Sequence, residues 1–110
     1  MSVNEKQSNR CVVVKFGGTS LADGLSILRA ANSVIEEKRK VTQIVVVVSA
    51  MGKTTDHLIS TAHRACGSDF PPEELDDIMA MGERTSARIF ASTLRAKGEK
   101  STYLDPSNPN

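Results

Sequence analysis

The sequence has 110 residues, which is enough for one modest domain. With 39% hydrophobic and 25% charged residues, it has the composition of a soluble globular protein. Its formal net charge of +1 is too small to produce an electrostatic field that would attract nucleic acid or an anionic membrane. An aromatic content of 4% without tryptophan argues against base-stacking surfaces, and the longest apolar run, Ile44 to Val48, is too short to span a bilayer. No secretory signal is visible at the N-terminus, so we expect a cytoplasmic protein in which Cys11 and Cys66 stay reduced.

The first half of the chain predicts a leader, a strand and a helix. Residues 1–10 are polar and predict a flexible leader. The β-branched run from Cys11 to Phe16 ends at a glycine pair and predicts a strand, and its continuous apolar character is typical of a parallel strand buried on both faces. Asp23 can cap a helix that extends to about Lys40. The apolar stripe predicted for this helix contains Leu25, Leu28, Ala31 and Ile35.

The second half predicts one more buried strand, two helices and a short final strand. Gln43 to Val48 is the strand, and Gly52 separates it from a helix. The candidates for capping this helix are Thr54, Thr55 and Asp56. Its predicted apolar side contains Leu58, Ile59, Ala62 and Cys66. A long helical region follows from Pro72 to Lys97, with a weak point at Met81-Gly82 and a C-terminal glycine at Gly98. Ser101 to Leu104 is the predicted third strand, and residues 105–110 form a turn-like tail.

This β-α-β-α-α-β order predicts an α/β fold with three layers, in which helices cover both faces of a mainly parallel sheet. In such sheets ligands bind beyond the carboxyl ends of the strands. Two segments follow those ends, Lys15 to Ser20 and Ser49 to Thr55. We therefore expect the functional site to lie between them.

The segment Lys15-Phe16-Gly17-Gly18-Thr19-Ser20 combines features that suit a phosphoryl group. The glycines allow close backbone approach, backbone N–H groups near a helix start attract anions, and the lysine adds a full positive charge. On residue type and spacing alone, a plain strand-to-helix turn with a solvent-facing lysine explains the segment equally well. It has neither the dinucleotide-binding glycine spacing nor that of a P-loop, and Lys53 is best interpreted as a solvated loop residue.

Two further segments are weaker when taken alone. Ser49, Thr54 and Thr55 offer hydroxyl groups at the sheet edge, although ordinary helix capping explains such residues too. Glu83 and Arg84 follow Gly82 within an apolar helical region, and a surface ion pair at a helix break is the simpler interpretation.

Together, three segments in register resemble aspartate kinases of the amino-acid-kinase superfamily. The matching stretches are Val14 to Ser20, Val48 to Asp56 and Gly82-Glu83-Arg84, and the similarity extends from Cys11 to about Leu104. The resemblance implies the N-terminal part of a catalytic domain of that superfamily. Its implied reaction is the ATP-dependent phosphorylation of the L-aspartate side-chain carboxylate, the first step toward lysine, threonine and methionine.

The resemblance also implies roles for individual residues. Lys15, Phe16, Gly17 and Gly18 would hold the nucleotide phosphates, with Lys15 and the two glycines also acting on the transferring group. The L-aspartate site would be lined by Ser49, Thr55 and Glu83. Mg²⁺ is expected from the reaction class, although no ligand set for it is visible in the sequence. A complete enzyme of this kind is expected to be a homo-oligomer.

Two alternatives stay open. Another kinase of the superfamily, acting on glutamate, acetylglutamate or a nucleoside monophosphate, would share the lysine and paired glycines, although Phe16 and Thr19-Ser20 favour aspartate. The other alternative is a non-catalytic fragment that only binds or assembles. Family enzymes are much longer than this chain, so we expect it to form half of a site and to be inactive on its own.

Overall fold

Two parallel strands form the sheet in the computed structural model, which describes residues 8–105. Strand β1, Ser8–Phe16, pairs in parallel with strand β2, Val41–Val48. This pairing confirms the predicted α/β class and both predicted strands. Strand β1 begins three residues before its predicted start at Cys11, within the predicted leader. The rest of that leader and residues 106–110 of the predicted tail lie outside the described residues.

Within residues 8–105, the two faces of this sheet differ in burial. Val13 is 66% exposed, and Val45 and Val47 on the same face are 41% and 43% exposed. On the opposite face, Phe16, Ile44, Val46 and Val48 pack against the hydrophobic core. The prediction of strands buried on both faces is therefore wrong for this part of the chain, because the helices that touch the sheet share one core on one face.

Helix α1, Gly24–Lys38, begins where the sequence predicts, because the Asp23 carboxylate accepts a hydrogen bond from the Ser26 backbone N–H at 2.8 Å. That bond is the main reason why the pKa of Asp23 lies below its usual value. The predicted apolar stripe is confirmed at Ala31, which is buried, and in part at Ile35, which packs against the core, but it is wrong at Leu25, which is 66% exposed. The residues that α1 buries are instead Ile27, Ala30, Ala31 and Val34. They follow the same helical spacing, and contact with the sheet selects this face over its apolar neighbour.

Helix α2, Thr54–Cys66, begins without a side-chain cap. Its N-cap residue is Lys53, so the predicted caps at Thr54, Thr55 and Asp56 are wrong. A tight turn starts the helix instead: Gly52 has a φ of 47°, and the Thr54 N–H donates to the Met51 carbonyl at 2.9 Å. The predicted apolar side of α2 packs only partly, since none of its residues is buried and Cys66 is an exposed free thiol.

Helix α3, Pro72–Ala96, runs through Met81-Gly82 without interruption, so the predicted weak point is wrong. The C-terminal glycine is confirmed, because Gly98 has a φ of 90° and donates its N–H to the Arg95 carbonyl at 3.0 Å. Only glycine takes such a conformation readily. Helix α3 buries Phe90 and Leu94 in the same core as α1, and the Phe90 ring stacks on that of Phe16 with centroids 5.5 Å apart.

After α3, residues 101–104 return along that helix. No strand forms over residues 101–104, so the predicted third strand is wrong. The Ser101 hydroxyl donates to the Ala91 carbonyl at 2.7 Å, and Arg95 Nε donates to the Ser101 carbonyl at 2.8 Å. Arg88 also lies over the Tyr103 ring, 4.9 Å from its centroid. Of these contacts, the one to the Ser101 carbonyl occupies a backbone group that a strand would use in pairing.

Candidate functional site

The two predicted loops meet at the carboxyl edge of the sheet. Phe16 and Val48, the last residues of β1 and β2, are partners in the parallel register. Beyond them, the Ser49 N–H donates to the Phe16 carbonyl at 3.2 Å, and the Gly52 N–H donates to the Gly18 carbonyl at 3.0 Å. Two backbone hydrogen bonds thus join Lys15–Ser20 to Ser49–Thr55, which confirms the predicted location of both segments.

The paired glycines of the first loop have different surroundings. A Cβ atom at Gly18 would lie 3.3 Å from the Ala50 carbonyl oxygen, which is tighter than ordinary contact. A Cβ atom at Gly17 would meet nothing within 4 Å, and Gly17 has an extended backbone with a φ of −84° and a ψ of 178° that any residue can adopt. The described chain therefore favours glycine at position 18 but leaves open space beside position 17.

Lys15 and Phe16 lie on opposite faces of β1, because successive side chains of a strand alternate. The Lys15 side chain is exposed on the same face as its register partner Val47. The Phe16 ring is stacked in the core on Phe90, so its backbone rather than its ring faces the loop. The strand thus ends with the exposed Lys15 cation two residues before Gly17, which has open space beside it, whereas the Phe16 ring packs on the core side of the sheet.

The third predicted segment reaches the second loop through Gly82 of α3. A Cβ atom at Gly82 would lie 3.1 Å from Thr55 Oγ1 and 3.2 Å from Ala50 Cβ. Glu83 follows directly and is exposed. Thr55 Oγ1 is buried and has no hydrogen-bond partner among the described residues. The fold therefore brings the helix turn that carries Glu83 against Thr55 and the loop that begins at Ser49.

Arg84 belongs to a different contact. Its guanidinium lies 3.9 Å from the Asp105 carboxylate, which ties the returning segment to α3. The surface-pair interpretation of Glu83 and Arg84 did not foresee this long-range partner. Nor did the sequence indicate that Ala50 and Gly82 touch, although a glycine inside an unbroken helix is a signal for such a close approach.

No group of three or more His, Cys, Asp or Glu side chains that could hold a metal ion occurs between residues 8 and 105. None of the helices described there is long and apolar enough to cross a membrane.

Comparison with known proteins identifies the family. Residues 10–109 match the model of the amino acid kinase family, which is most of the chain. The chain belongs to the amino acid kinase family. Among curated members, it is 47% identical over 88 residues to an aspartokinase from Bacillus sp. (strain MGA3), covering 79% of this chain and 21% of that protein. It is 45% identical over 94 residues to an aspartokinase from Geobacillus stearothermophilus, covering 84% and 23% of the respective chains.

A solved structure supports the same relationship for the fold. The aspartate kinase from Synechocystis superposes with a TM-score of 0.80 at 30% sequence identity, and the match covers 86% of this chain and 16% of that one. The chain thus spans about a fifth of the length of the curated relatives it matches.

Proposed function

We propose that this chain is the N-terminal part of an aspartate kinase catalytic domain. The reaction proposed for the complete domain is the ATP-dependent phosphorylation of the L-aspartate side-chain carboxylate to 4-phospho-L-aspartate. This would be the first step toward lysine, threonine and methionine, carried out in the cytoplasm by a homo-oligomeric enzyme. Aspartokinases among the relatives support the substrate, and the joined loops at the sheet edge support the site.

The observation that carries the proposal is the pair of hydrogen bonds from Ser49 to Phe16 and from Gly52 to Gly18. They fix the Lys15 loop against the Ser49 loop at the edge where ligands of parallel sheets bind. A phosphate donor on one loop and an acceptor on the other would therefore be neighbours. Holding two reactants in this way removes much of the entropic barrier to reaction.

The described residues fit a nucleotide phosphate at the first loop. Gly17 has open space where a Cβ atom would stand, so a phosphate could approach its backbone closely. Lys15 is exposed two residues earlier and would contribute its positive charge to phosphate oxygens. Because Gly18 has no side chain, the first loop can lie close to the Ala50 carbonyl oxygen. In this proposal Phe16 contributes its backbone, since its ring is in the core.

The second loop and α3 would hold L-aspartate. Ser49 lies at the sheet edge, and exposed Glu83 would pair with the substrate α-ammonium in a charge-assisted contact. Thr55 Oγ1 is buried and has no hydrogen-bond partner in the part of the chain that the structure describes, and leaving such a group unsatisfied costs about 1–3 kcal/mol. A threonine in a helix has two common χ1 rotamers, so rotation would give this hydroxyl access to a substrate group.

The chemistry requires no general base at these residues. The side-chain carboxylate of aspartate has an ordinary pKa of about 3.9 and is already ionised near neutral pH. The barrier comes from bringing two anions together and from charge on the transferring group. Lys15 and the backbone N–H groups at Gly17 and Gly18 would stabilise that charge, and ATP would supply the phosphoryl group.

Mg²⁺ is proposed only from the reaction class. Since residues 8–105 contain no cluster of acidic or histidine ligands for it, we assign it to no residue and derive no step through it. The remaining nucleotide and substrate contacts would come from the rest of a full-length kinase. We accordingly propose that the 110-residue chain alone has no useful kinase activity.

A chimera tests the proposed function. Residues 10–105 would replace the matching segment of the Geobacillus stearothermophilus aspartokinase, with the unaltered enzyme as the control. ATP-dependent phosphorylation would then be measured with aspartate, glutamate, acetylglutamate and a nucleoside monophosphate. We expect ATP-dependent phosphorylation of aspartate and of none of the other three acceptors. A folded chimera that is inactive, or that prefers another acceptor, would refute the proposal.

A further inference from the structure

Gly82 occupies a position where helix stability alone would favour another residue. It lies inside α3, a continuous helix of 25 residues. Glycine weakens a helix interior relative to alanine, because it loses more backbone freedom on folding. Some other requirement must therefore explain a glycine at this point.

The neighbours of Gly82 provide that requirement. A methyl group at this position would lie 3.1 Å from Thr55 Oγ1 and 3.2 Å from Ala50 Cβ, so these atoms would have to move by a few tenths of an ångström. By contrast, Gly24 in the first turn of α1 has nothing within 4 Å of its Cβ position. Of these two helical glycines, only Gly82 lies so close to another segment that an added methyl group would meet it.

The atoms that Gly82 touches belong to the proposed substrate side of the site. Thr55 and Ala50 belong to the second loop, and the Ala50 carbonyl oxygen lies 3.3 Å from the position that a Cβ atom of Gly18, in the first loop, would take. Glu83 is the next residue on α3. Gly82 is therefore the point at which the helix carrying the proposed ammonium-binding carboxylate rests on the loop carrying the proposed hydroxyl ligands.

We propose that Gly82 is a positioning residue that sets the spacing between Glu83 and the Ser49–Thr55 segment, and thereby the affinity for the amino-acid substrate. This inference rests on the proposed function, since it assigns L-aspartate to that spacing. A side chain at position 82 separates α3 from the loop and moves Glu83 away from Thr55. The nucleotide side, at Lys15 and Gly17, lies on the other loop and is disturbed much less.

The test uses the chimera described above with Gly82→Ala, and Gly24→Ala as the matched control. Glu83 is proposed to hold the substrate ammonium rather than the reacting carboxylate, so a weaker contact there should raise the KM for aspartate about five- to tenfold, the loss of part of one hydrogen bond to a charged group. The KM for ATP and kcat should stay within about twofold of the parent values, and Gly24→Ala should change none of the three.

A second substitution separates positioning from general damage. Ala50→Gly removes the Cβ atom that lies 3.2 Å from the new methyl group, so the double variant should recover part of the aspartate KM. An unchanged aspartate KM in Gly82→Ala would overturn the inference. So would a parallel loss of kcat and of both KM values, or a double variant without recovery.

A measurement on the 110-residue chain distinguishes failure of this inference from failure of the proposed function. If the parent chimera is inactive, the function is refuted, but methyl NMR of the chain still reports the contact. The methyl group introduced by Gly82→Ala should show a nuclear Overhauser effect to Ala50 and shift the Thr55 methyl resonance. The control Gly24→Ala should leave the Ala50 and Thr55 resonances in place. Absence of these effects in Gly82→Ala would refute the close approach itself.

Discussion

The paired glycines at positions 17 and 18 should respond in opposite ways to the same substitution. Gly17 has an extended backbone and open space at its Cβ position, so Gly17→Ala should be tolerated by the fold. It should even stabilise the chain by about 0.4–1 kcal/mol, because alanine restricts the unfolded state. Gly18→Ala would place a methyl group 3.3 Å from the Ala50 carbonyl oxygen.

The magnitude for Gly18→Ala follows from two opposing terms. Overpacking against backbone typically costs about 1–3 kcal/mol, and the entropic gain of about 0.4–1 kcal/mol offsets part of it. A net loss of about 1 kcal/mol is therefore expected, against a gain of similar size at Gly17. For a urea slope of about 2 kcal/mol per M, the midpoints of the two variants should differ by about 1 M.

Urea unfolding of the chain, followed by circular dichroism, measures this difference. The second prediction for Gly17→Ala concerns ATP binding, which isothermal titration calorimetry of the chimera measures. Its methyl group would fill the proposed phosphate space, so ATP should bind about tenfold more weakly, a loss of about 1.4 kcal/mol. Equal stability of the two variants would refute the steric argument at Gly18. Unchanged ATP affinity in Gly17→Ala would remove the phosphate from that space.

Three further predictions address single side chains. In the chimera, Lys15→Ala should lower kcat about 100- to 1,000-fold, because a group that stabilises charge in the transition state is lost. The control Lys97→Ala should leave kcat unchanged, and a near-normal kcat for folded Lys15→Ala would refute the proposed role of Lys15. Glu83→Ala should raise the aspartate KM about 10- to 100-fold with little effect on the ATP KM, and an unchanged aspartate KM would remove Glu83 from the substrate site. Because the Ser26 N–H lowers the pKa of Asp23, the stabilisation from this cap is present above the ordinary pKa of 3.8 and is lost as the pH falls through the lowered value. Asp23→Ala should therefore shift the urea midpoint downward at neutral pH but not at the acid end of a pH series, and equal shifts at both ends would contradict this.

The order of the two strands and three helices could be predicted from local sequence, and so could the features that local chemistry decides. Strand β2 follows from its valine run, Asp23 caps α1 through its own carboxylate, and Gly98 takes a backbone conformation that favours glycine. The meeting of the two loops was also predictable, because parallel neighbouring strands bring their carboxyl ends to one edge. The resemblance in three short segments added the family, which the match over residues 10–109 shows.

Other features depended on contacts between distant residues. The buried face of α1 was decided by the sheet and α3, because apolar residues occur on more than one side of that helix. The third strand was replaced by a segment held to α3 through Ser101 and Arg95, which nothing local to residues 101–104 indicates.

For the site, the sequence by itself determined which residues could do phosphoryl-transfer chemistry: a lysine, two glycines, hydroxyls and a carboxylate, in that order. Only the tertiary structure decided where each of them lies and what surrounds it. It placed the Phe16 ring in the core, made Gly18 a packing requirement while leaving Gly17 open, and set Gly82 against Thr55. The physical reason is that residue type fixes charge and backbone freedom, whereas the space around a residue is fixed by segments that are far away in the chain.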